Sequence, residues 1–338
     1  MLDVQRTWTR GRAVRNVAIL GLALFLAAAA LAGGSSARAA EPLRIAVLKF
    51  GTVNWELDVI RHYGLDRSNG VDLQVQPVAG SAAARVAFEG AAVDVIVSDW
   101  IWVARRRAAG ADYRFIPYSR SVGGMMVAGD SPARDLSDLK GARIGIAGGP
   151  VDKSWLILQA LARMQGFDLK AETEQVFGAP PLIYQKALSG EIDAVINFWH
   201  FMAKLEARGF RTVVSTAQAA EALGLDPDVP LLGYVVRGEL LETRPELARG
   251  LAAASRAAKT ILAESDAEWD RLRPLMKAQS DAEFERLKAG FRAGIPNGSP
   301  VDAAQAARMF ALMAELGGET LTGEATTLPE DVFLNPED

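Results

Sequence analysis

The stretch Arg143-Ile-Gly-Ile-Ala-Gly-Gly-Pro-Val-Asp-Lys-Ser-Trp155 decides how this chain folds. Its apolar half predicts a buried strand, and the Gly-Gly-Pro that follows ends the strand, because proline has no N–H for a ladder. Asp152 or Ser154 can cap the helix that comes next. A strand, a glycine turn and a helix N-terminus leave backbone N–H groups at the carboxyl end of a sheet. This arrangement is typical of a binding site for a small polar group.

The run from Gly148 to Ser154 also resembles part of a phosphate-binding P-loop. That motif requires a glycine directly before its lysine, whereas Asp152 precedes Lys153 here. Because a carboxylate would repel phosphate, we do not expect nucleotide binding.

The first 39 residues have the features of a secretory signal peptide. Four arginines before residue 16 form a basic region, residues 17–32 form an apolar region, and Ala37-Arg-Ala39 fits the small-x-small cleavage rule. The apolar region is too short and too rich in alanine for a stable membrane span. We therefore expect residues 1–39 to be removed and the protein to be exported to the periplasm; an uncleaved N-terminal anchor is the alternative.

Composition limits the partners of the exported part. The whole chain has a net charge of −4, and the +4 of residues 1–39 leaves −8 for the remainder. An acidic exported protein is a poor partner for nucleic acid. The absence of cysteine from the sequence excludes disulfides, thiolate metal sites and cysteine nucleophiles.

The order of predicted elements repeats along the chain. Strand, helix, strand, helix and strand follow one another over residues 43–97 and again over residues 142–196. The two βαβαβ units predict an α/β fold with two lobes built to one plan, and chance similarity between α/β segments is the alternative. The later part predicts a strand at 231–237, four helices between 245 and 316, and an extended tail from Gly317.

Signatures of catalysis are not evident. The chain has two histidines, of which His62 is predicted on a helix surface and His200 follows a strand. The sequence contains no Gly-x-Ser-x-Gly elbow, no His-Glu-x-x-His motif and no carboxylate pair of diagnostic spacing. We therefore predict no catalytic residue, no metal site and no cofactor.

Tryptophan is concentrated just after the predicted strands. Five of the six tryptophans beyond residue 39 have this position: Trp55, Trp100, Trp102, Trp155 and Trp199. An indole offers a flat apolar face and one N–H donor, so a group of them suits a planar or cationic ligand. The alternative is that these rings pack in the core near helix starts.

Polar groups accompany the tryptophans. They are Thr52, Asn54, Ser98, Asp99, Asp152, Ser154, Asn197 and His200, and the candidate cations are Lys49 and Lys153. Asp99 and Asp152 can contact a ligand or cap the helices that they precede. Several aromatic walls with a few hydrogen-bonding groups predict a binding site without an evident nucleophile.

Four segments carry a family likeness. They are Leu43-Arg-Ile-Ala-Val47, Gly90-Ala-Ala-Val-Asp-Val95, Asp138-Leu-Lys-Gly-Ala-Arg-Ile-Gly-Ile-Ala-Gly-Gly149 and Leu188-Ser-Gly-Glu-Ile-Asp-Ala-Val195. With these segments the chain resembles periplasmic substrate-binding proteins of ABC importers, in the nitrate/taurine/sulfonate group that also includes binders of thiamine-pyrimidine precursors. The likeness extends from about residue 42 to about residue 265.

The resemblance implies a type II periplasmic-binding-protein fold of two lobes, each a mixed, mostly parallel sheet flanked by helices, joined by a two-strand hinge. Lobe 1 would comprise residues 40–121 and 232–338, and lobe 2 residues 122–231. By position, four loops after strands would line the ligand site. The predicted ligand-binding residues are Phe50, Thr52, Asn54, Trp55, Ser98, Asp99, Trp100, Gly148, Gly149, Asp152, Lys153, Ser154, Trp155, Asn197, Trp199 and His200.

Asn197-Phe-Trp-His200 departs from the small residue or proline that the family often has at this point. The departure argues against an inorganic anion or a simple sulfonate and favours a ligand that is larger or aromatic. We therefore expect a monomeric solute-binding component that delivers a small organic ligand to an ABC permease in the inner membrane. The alternatives are an enzyme on the same fold acting on a small organic acid, and a metal-chelate binder that uses Asp99, Asp152 and His200.

Overall fold

The computed structural model describes residues 40–334, so the predicted signal peptide lies outside the described residues. In the described range, ten strands form two five-stranded sheets. The first sheet contains β1 (Glu41–Leu48), β2 (Val71–Val78), β3 (Val95–Asp99), β4 (Tyr113–Ser119) and β10 (Leu232–Arg237). The second contains β5 (Gly124–Val127), β6 (Arg143–Ala147), β7 (Glu174–Gly178), β8 (Ala194–Ile196) and β9 (Arg211–Ser215).

The two sheets have the same topology. Their strand orders are β2-β1-β3-β10-β4 and β7-β6-β8-β5-β9. In each sheet one strand, β10 or β5, runs antiparallel to both of its neighbours, and the other four strands point the same way. The α/β class and the two-lobed plan predicted from the sequence are confirmed.

A reciprocal pair of hydrogen bonds between an arginine and an aspartate recurs near the amino ends of corresponding strands. The Arg44 amide donates to the Asp94 carboxylate at 2.9 Å, and the Asp94 amide donates to the Arg44 carbonyl at 2.8 Å. In the second sheet the Arg143 amide donates to Asp193 at 2.7 Å, and the Asp193 amide donates back at 2.8 Å. The same exchange in both lobes shows that the sequence repeat is a structural repeat.

Thirteen α-helices of residues 40–334 flank these sheets. They are α1 (Val53–His62), α2 (Leu65–Ser68), α3 (Ser81–Glu89), α4 (Trp100–Ala108), α5 (Lys153–Met164), α6 (Pro180–Leu188), α7 (Trp199–Glu206), α8 (Thr216–Ala222), α9 (Gly238–Thr243), α10 (Pro245–Glu264), α11 (Asp266–Met276), α12 (Asp281–Ala293) and α13 (Ala303–Thr322). Among these described helices, none combines the length and the apolar character that a membrane crossing requires.

Some element boundaries differ from those that the sequence predicts. Helix α7 begins at Trp199 instead of Phe201, and the pattern missed the short elements β9 and α8. The tail from Gly317 is not extended, because α13 continues to Thr322 across a kink at Gly318, where φ is 54°. A glycine tolerates this positive φ, so the helix changes direction without ending.

The chain connects the two sheets twice. It passes from the first sheet to the second between Ser119 and Gly124, and it returns between Ala222 and Leu232. The two-strand hinge that the resemblance implies would lie at these two connections, and its residues stay a prediction.

The strand pairs beside the connections are irregular. Leu232 lies opposite Ser119 but Gly233 lies opposite Pro117, so Tyr118 is an extra residue in the ladder. In the second sheet the register of β5 with β9 also shifts, between Met125 and Met126. Such bulges bend a strand and increase its local twist.

Helix α12 contacts both halves of the molecule. The Lys204 ammonium on α7 lies 2.9 Å from the Glu283 carboxylate on α12, and Glu283 is 1% exposed. Ser121, in the first connection, donates its hydroxyl to the Gly290 carbonyl at 3.1 Å. A side chain at Gly290 would come within 2.8 Å of the Trp199 ring, so glycine permits the close packing of α7 on α12.

A buried polar network lies inside the first lobe. The Glu56 carboxylate accepts hydrogen bonds from the Tyr234 hydroxyl at 2.7 Å and the Ser255 hydroxyl at 2.6 Å, and it pairs with the Lys259 ammonium at 2.6 Å. The Lys259 ammonium also lies 4.5 Å from the centre of the Tyr118 ring. Burial lowers the pKa of Lys259, although the Glu56 charge opposes this effect. The network joins α1 and α10 to both strands that lead to the connections.

Candidate functional site

The predicted ligand-binding residues lie in four segments, residues 50–55, 98–100, 148–155 and 197–200, which are together called the crevice below. The first two segments lie at the carboxyl ends of β1 and β3 of the first sheet, and the last two lie at the carboxyl ends of β6 and β8 of the second. In parallel strands the carboxyl ends meet at one edge of a sheet. Each lobe therefore contributes two loops to the crevice.

An ion pair joins the two sides of the crevice. The Lys153 ammonium, at the start of α5, donates to the Asp99 carboxylate, at the end of β3, at 3.0 Å. Asp99 is 8% exposed. Burial alone would raise the pKa of Asp99, but the nearby Lys153 and Arg85 charges and the bonds to its carboxylate hold it below the usual value.

Arg85 on α3 completes this charged group. Its guanidinium lies 3.3 Å from the Asp99 carboxylate, donates to the Ser98 hydroxyl at 3.2 Å and stacks over the Trp102 ring at 4.9 Å. The sequence analysis did not single out Arg85. The sequence does offer one indication of its position. Arg85 lies on the helix that follows β2, and β2 borders β1, whose carboxyl end is part of the crevice.

Both aspartates of the crevice cap helices. Asp99 accepts from the Trp102 amide at 2.9 Å, and Asp152 accepts from the Trp155 amide at 3.1 Å. Burial raises the pKa of Asp152, the bonds at the helix start and the Lys153 charge oppose this effect, and the Asp99 charge adds a smaller increase. The bonds at both helix starts follow from the preference of N-cap positions for aspartate.

The glycines before Asp152 adopt left-handed backbone. The φ angles are 95° at Gly148 and 100° at Gly149, which side chains rarely permit. A side chain at Gly148 would also lie 3.2 Å from the Asp152 carboxylate. These two glycines therefore set the turn that places Asp152 and Lys153, while Ser154 is buried in the first turn of α5.

The tryptophans divide between two hydrophobic clusters. Trp55 and Trp199 lie in the cluster of the first lobe with Trp269 and Phe291. The ring centroid of Trp55 lies 6.1 Å from that of Trp199, 6.0 Å from that of Trp269 and 5.9 Å from that of Phe291. The Trp199 ring, which comes from the second lobe, is half-buried in this contact. The structure thus brings two of the four predicted crevice indoles together.

Trp100 and Trp155 belong to the other cluster. Trp100 is fully buried against Phe310 and Phe333, and Trp155 is 1% exposed. Helix α13 packs against both α4 and α5 and supplies Phe310. The four indoles do not wall one common space in this structure, and a ligand contact by Trp100 or Trp155 stays a prediction.

The two asparagine side chains of the crevice form hydrogen bonds with backbone groups. Asn54 donates to the carbonyls of Leu48 at 2.8 Å and Gly51 at 2.6 Å. Asn197 donates to the Pro180 carbonyl at 2.9 Å and accepts from the Phe198 amide at 2.8 Å. These bonds fix the shape of the loops, so both residues support the crevice.

The remaining predicted residues differ in exposure. Phe50 is 39% exposed at the end of β1, whereas Thr52 and His200 are buried. Burial lowers the pKa of His200 to about 3, with a further contribution from the Lys204 charge, so the imidazole is neutral near pH 7. Its Nε2 atom has no hydrogen-bond partner among the residues described.

Metal ligation was the basis of the chelate alternative. Within residues 40–334, no group of three or more histidine, aspartate or glutamate side chains is placed to hold a metal ion. Asp99 and Asp152 instead make the cap bonds described above.

Comparison with known proteins identifies the family of this chain. A family model described as NMT1/THI5 like matches residues 63–268 of the 338 residues. The chain belongs to the NMT1/THI5-like family. No curated protein matches this NMT1/THI5-like chain.

Solved structures resemble this NMT1/THI5-like protein over most of its length. The alkanesulfonate-binding protein SsuA from Xanthomonas axonopodis pv. citri, bound to MOPS, is 17% identical with a TM-score of 0.66 and covers 87% of this chain and 98% of its own. The periplasmic aliphatic sulphonate binding protein SsuA from Escherichia coli is 18% identical with a TM-score of 0.68, and covers 86% and 90%. The desulfurization enzyme DSZB is 16% identical with a TM-score of 0.56, and covers 86% and 97%. These likenesses confirm the periplasmic-binding-protein fold.

Proposed function

We propose that this protein is the solute-binding component of an ABC importer. It closes two lobes on a small organic ligand that is aromatic, cyclic or otherwise larger than a simple anion, and delivers the ligand to a permease in the inner membrane. Two structural relatives are an alkanesulfonate-binding protein and a periplasmic aliphatic sulphonate binding protein, which supports a binding role.

The contact between Lys153 and Asp99 carries the proposal. It joins the carboxyl end of a strand in the first sheet to the helix that follows a strand in the second. Ligands in open α/β sheets bind at this end of the strands. A protein whose two lobes meet through charged groups at these ends can trap a ligand there and shift its conformational population on binding.

We further propose the division of the chain between the lobes. Residues 40–121 and 232–338 form lobe 1, and residues 122–231 form lobe 2. The membership of the strands supports this division, since β5 to β9 make up the second sheet. The C-terminal helices α12 and α13 belong to lobe 1 in this scheme and contact lobe 2 through α7 and α5.

We also propose a periplasmic location and a monomeric state, with residues 1–39 cleaved on export. The basic and apolar composition of these residues supports the location. Within this scheme the protein binds its ligand without transforming it. The DSZB likeness makes catalysis the alternative to test, because the same fold serves an enzyme there.

Native mass spectrometry of the protein purified from its host's periplasm tests the proposal. We expect an added mass from one retained organic molecule, and a raised melting temperature when that molecule is returned to stripped protein. Incubation with the molecule should leave its mass unchanged. A product whose formation is lost in His200→Ala would replace the binding role by an enzymatic one. Failure of any retained or supplied solute to raise the melting temperature would contradict the proposal.

A further inference from the structure

The charged side chains of the crevice neutralise one another. Asp99 lies 3.0 Å from the Lys153 ammonium and 3.3 Å from the Arg85 guanidinium. Asp152 directly precedes Lys153 and caps the helix that begins with it. Two cations and two carboxylates therefore give this half-buried group no net charge. Lys49 is exposed at the end of β1, where solvent screens its charge.

The helix starts at the crevice also carry negative charge already. A helix N-terminus attracts an anion through its free N–H groups and its partial positive charge. Asp99 occupies this position on α4, and Asp152 occupies it on α5. An anionic ligand at either helix would meet a carboxylate that is held in place by a backbone amide.

Resting on the proposed binding function, we infer that the crevice takes an organic ligand without net negative charge, and that Asp99 and Asp152 exclude anionic ligands. A third negative charge would leave the half-buried group with an unbalanced charge, which is costly away from water. A neutral or zwitterionic ligand keeps the balance. The two residues act on specificity through charge, because a cap bond to a backbone amide already holds each carboxylate in place.

Isosteric probes of different charge test this inference. Benzenesulfonate and benzenesulfonamide have similar shapes, and only the first is an anion at neutral pH. Titration calorimetry would compare both probes on the wild type, Asp99→Asn and Asp152→Asn at one ionic strength. Asparagine is as good an N-cap as aspartate, so these changes remove charge and keep the helix starts. Asp152 forms no ion pair within residues 40–334, so Asp152→Asn remains informative if Asp99→Asn folds poorly.

We expect each variant to bind benzenesulfonate at least about tenfold more tightly than the wild type, because an opposing charge within a few ångströms has been removed. Benzenesulfonamide affinity should change less. Asp94→Asn is the matched control: this buried aspartate pairs with Arg44 at the opposite end of β3, and its loss should give no gain for the sulfonate.

Two results would overturn the inference. One is that Asp99→Asn and Asp152→Asn bind benzenesulfonate no more tightly than the wild type, and the other is that the control Asp94→Asn shows the same gain as these variants. Failure of the proposed binding function would appear differently, because then no retained or supplied organic molecule would stabilise the wild type. The effect of the two variants on benzenesulfonate binding would still decide whether the aspartates exclude anions.

Discussion

The indole of Trp199 meets the indole of Trp55 edge-on, with ring centroids 6.1 Å apart and ring planes at 89°. Trp199 begins α7 in the second lobe, and Trp55 lies on α1 in the first. The contact is therefore an aromatic junction between the lobes, and it lies beside α12, which also contacts the first connection. Stability and the relative position of the lobes should depend on this junction.

Replacing Trp199 with alanine tests the junction. We expect the free energy of unfolding to fall by about 2–3 kcal/mol. This loss is smaller than for a fully buried tryptophan, because Trp199 is half-buried. Guanidinium unfolding followed by circular dichroism measures the change. Phe50→Ala, at an exposed aromatic residue, should cost less than about 1 kcal/mol. Equal losses in the two variants would show that Trp199 makes no special contact.

Gly290→Ala tests the packing beneath Trp199. The added methyl group would lie 2.8 Å from the ring, so we expect destabilisation of about 1–3 kcal/mol despite the better helix propensity of alanine. In a Trp199→Ala background the clash is absent, and the same change should be neutral or stabilising. A double-mutant cycle measures this coupling. A cost that is the same in both backgrounds would place the strain elsewhere.

His200 should make stability depend on pH. Its pKa falls from 6.5 to about 3 on folding, so the unfolded state binds more protons between these values and stability is lost as pH falls. From pH 7 to pH 5 we expect His200→Gln to lose about 2 kcal/mol less than the wild type. Denaturant unfolding at both pH values measures the difference. Parallel pH profiles for the wild type and His200→Gln would contradict the burial of a neutral imidazole.

Lys259→Met should be among the most damaging single changes. It leaves the fully buried Glu56 carboxylate without its cation, which costs about 3–5 kcal/mol in comparable sites. The double variant Glu56→Gln with Lys259→Met should recover part of this loss, because no buried charge remains unpaired. Equilibrium unfolding measures both. Lys140→Met breaks an exposed pair with Glu172 and should change stability far less, because solvent screens that pair. If the two lysine variants lost the same stability, burial would not govern the Lys259 pair.

The fold could be predicted from the sequence because its signals are local. The apolar run before Gly148 specifies a strand within a few residues, and so do the related segments Gly-x-x-Val-Asp94 and Gly-x-Ile-Asp193. The structure confirms the repeat through the Asp94 and Asp193 contacts. The elements that were missed, β9 and α8, are short and only partly buried, so their apolar pattern is weak.

The candidate site could be predicted only in part. The position of Trp100 after β3 is a local property, and it was predicted correctly to within the loop. The direction of its ring is not local, because Phe310, from a helix two hundred residues later, covers it. Asp99 and Asp152 have two competing uses in the sequence, and only three-dimensional contacts show that both are caps. Arg85 was missed because nothing near it in sequence indicates its partner.

The extra residue at Tyr118 has a mechanical consequence. Both connections leave the first sheet from adjacent strands, and the ladder between them is interrupted directly at that point. A bulge leaves its extra residue unpaired and disrupts the ladder locally, and the second sheet has its own irregularity on the corresponding strand pair. Relative rotation of the lobes should therefore be concentrated at these two irregularities, beside the two connections.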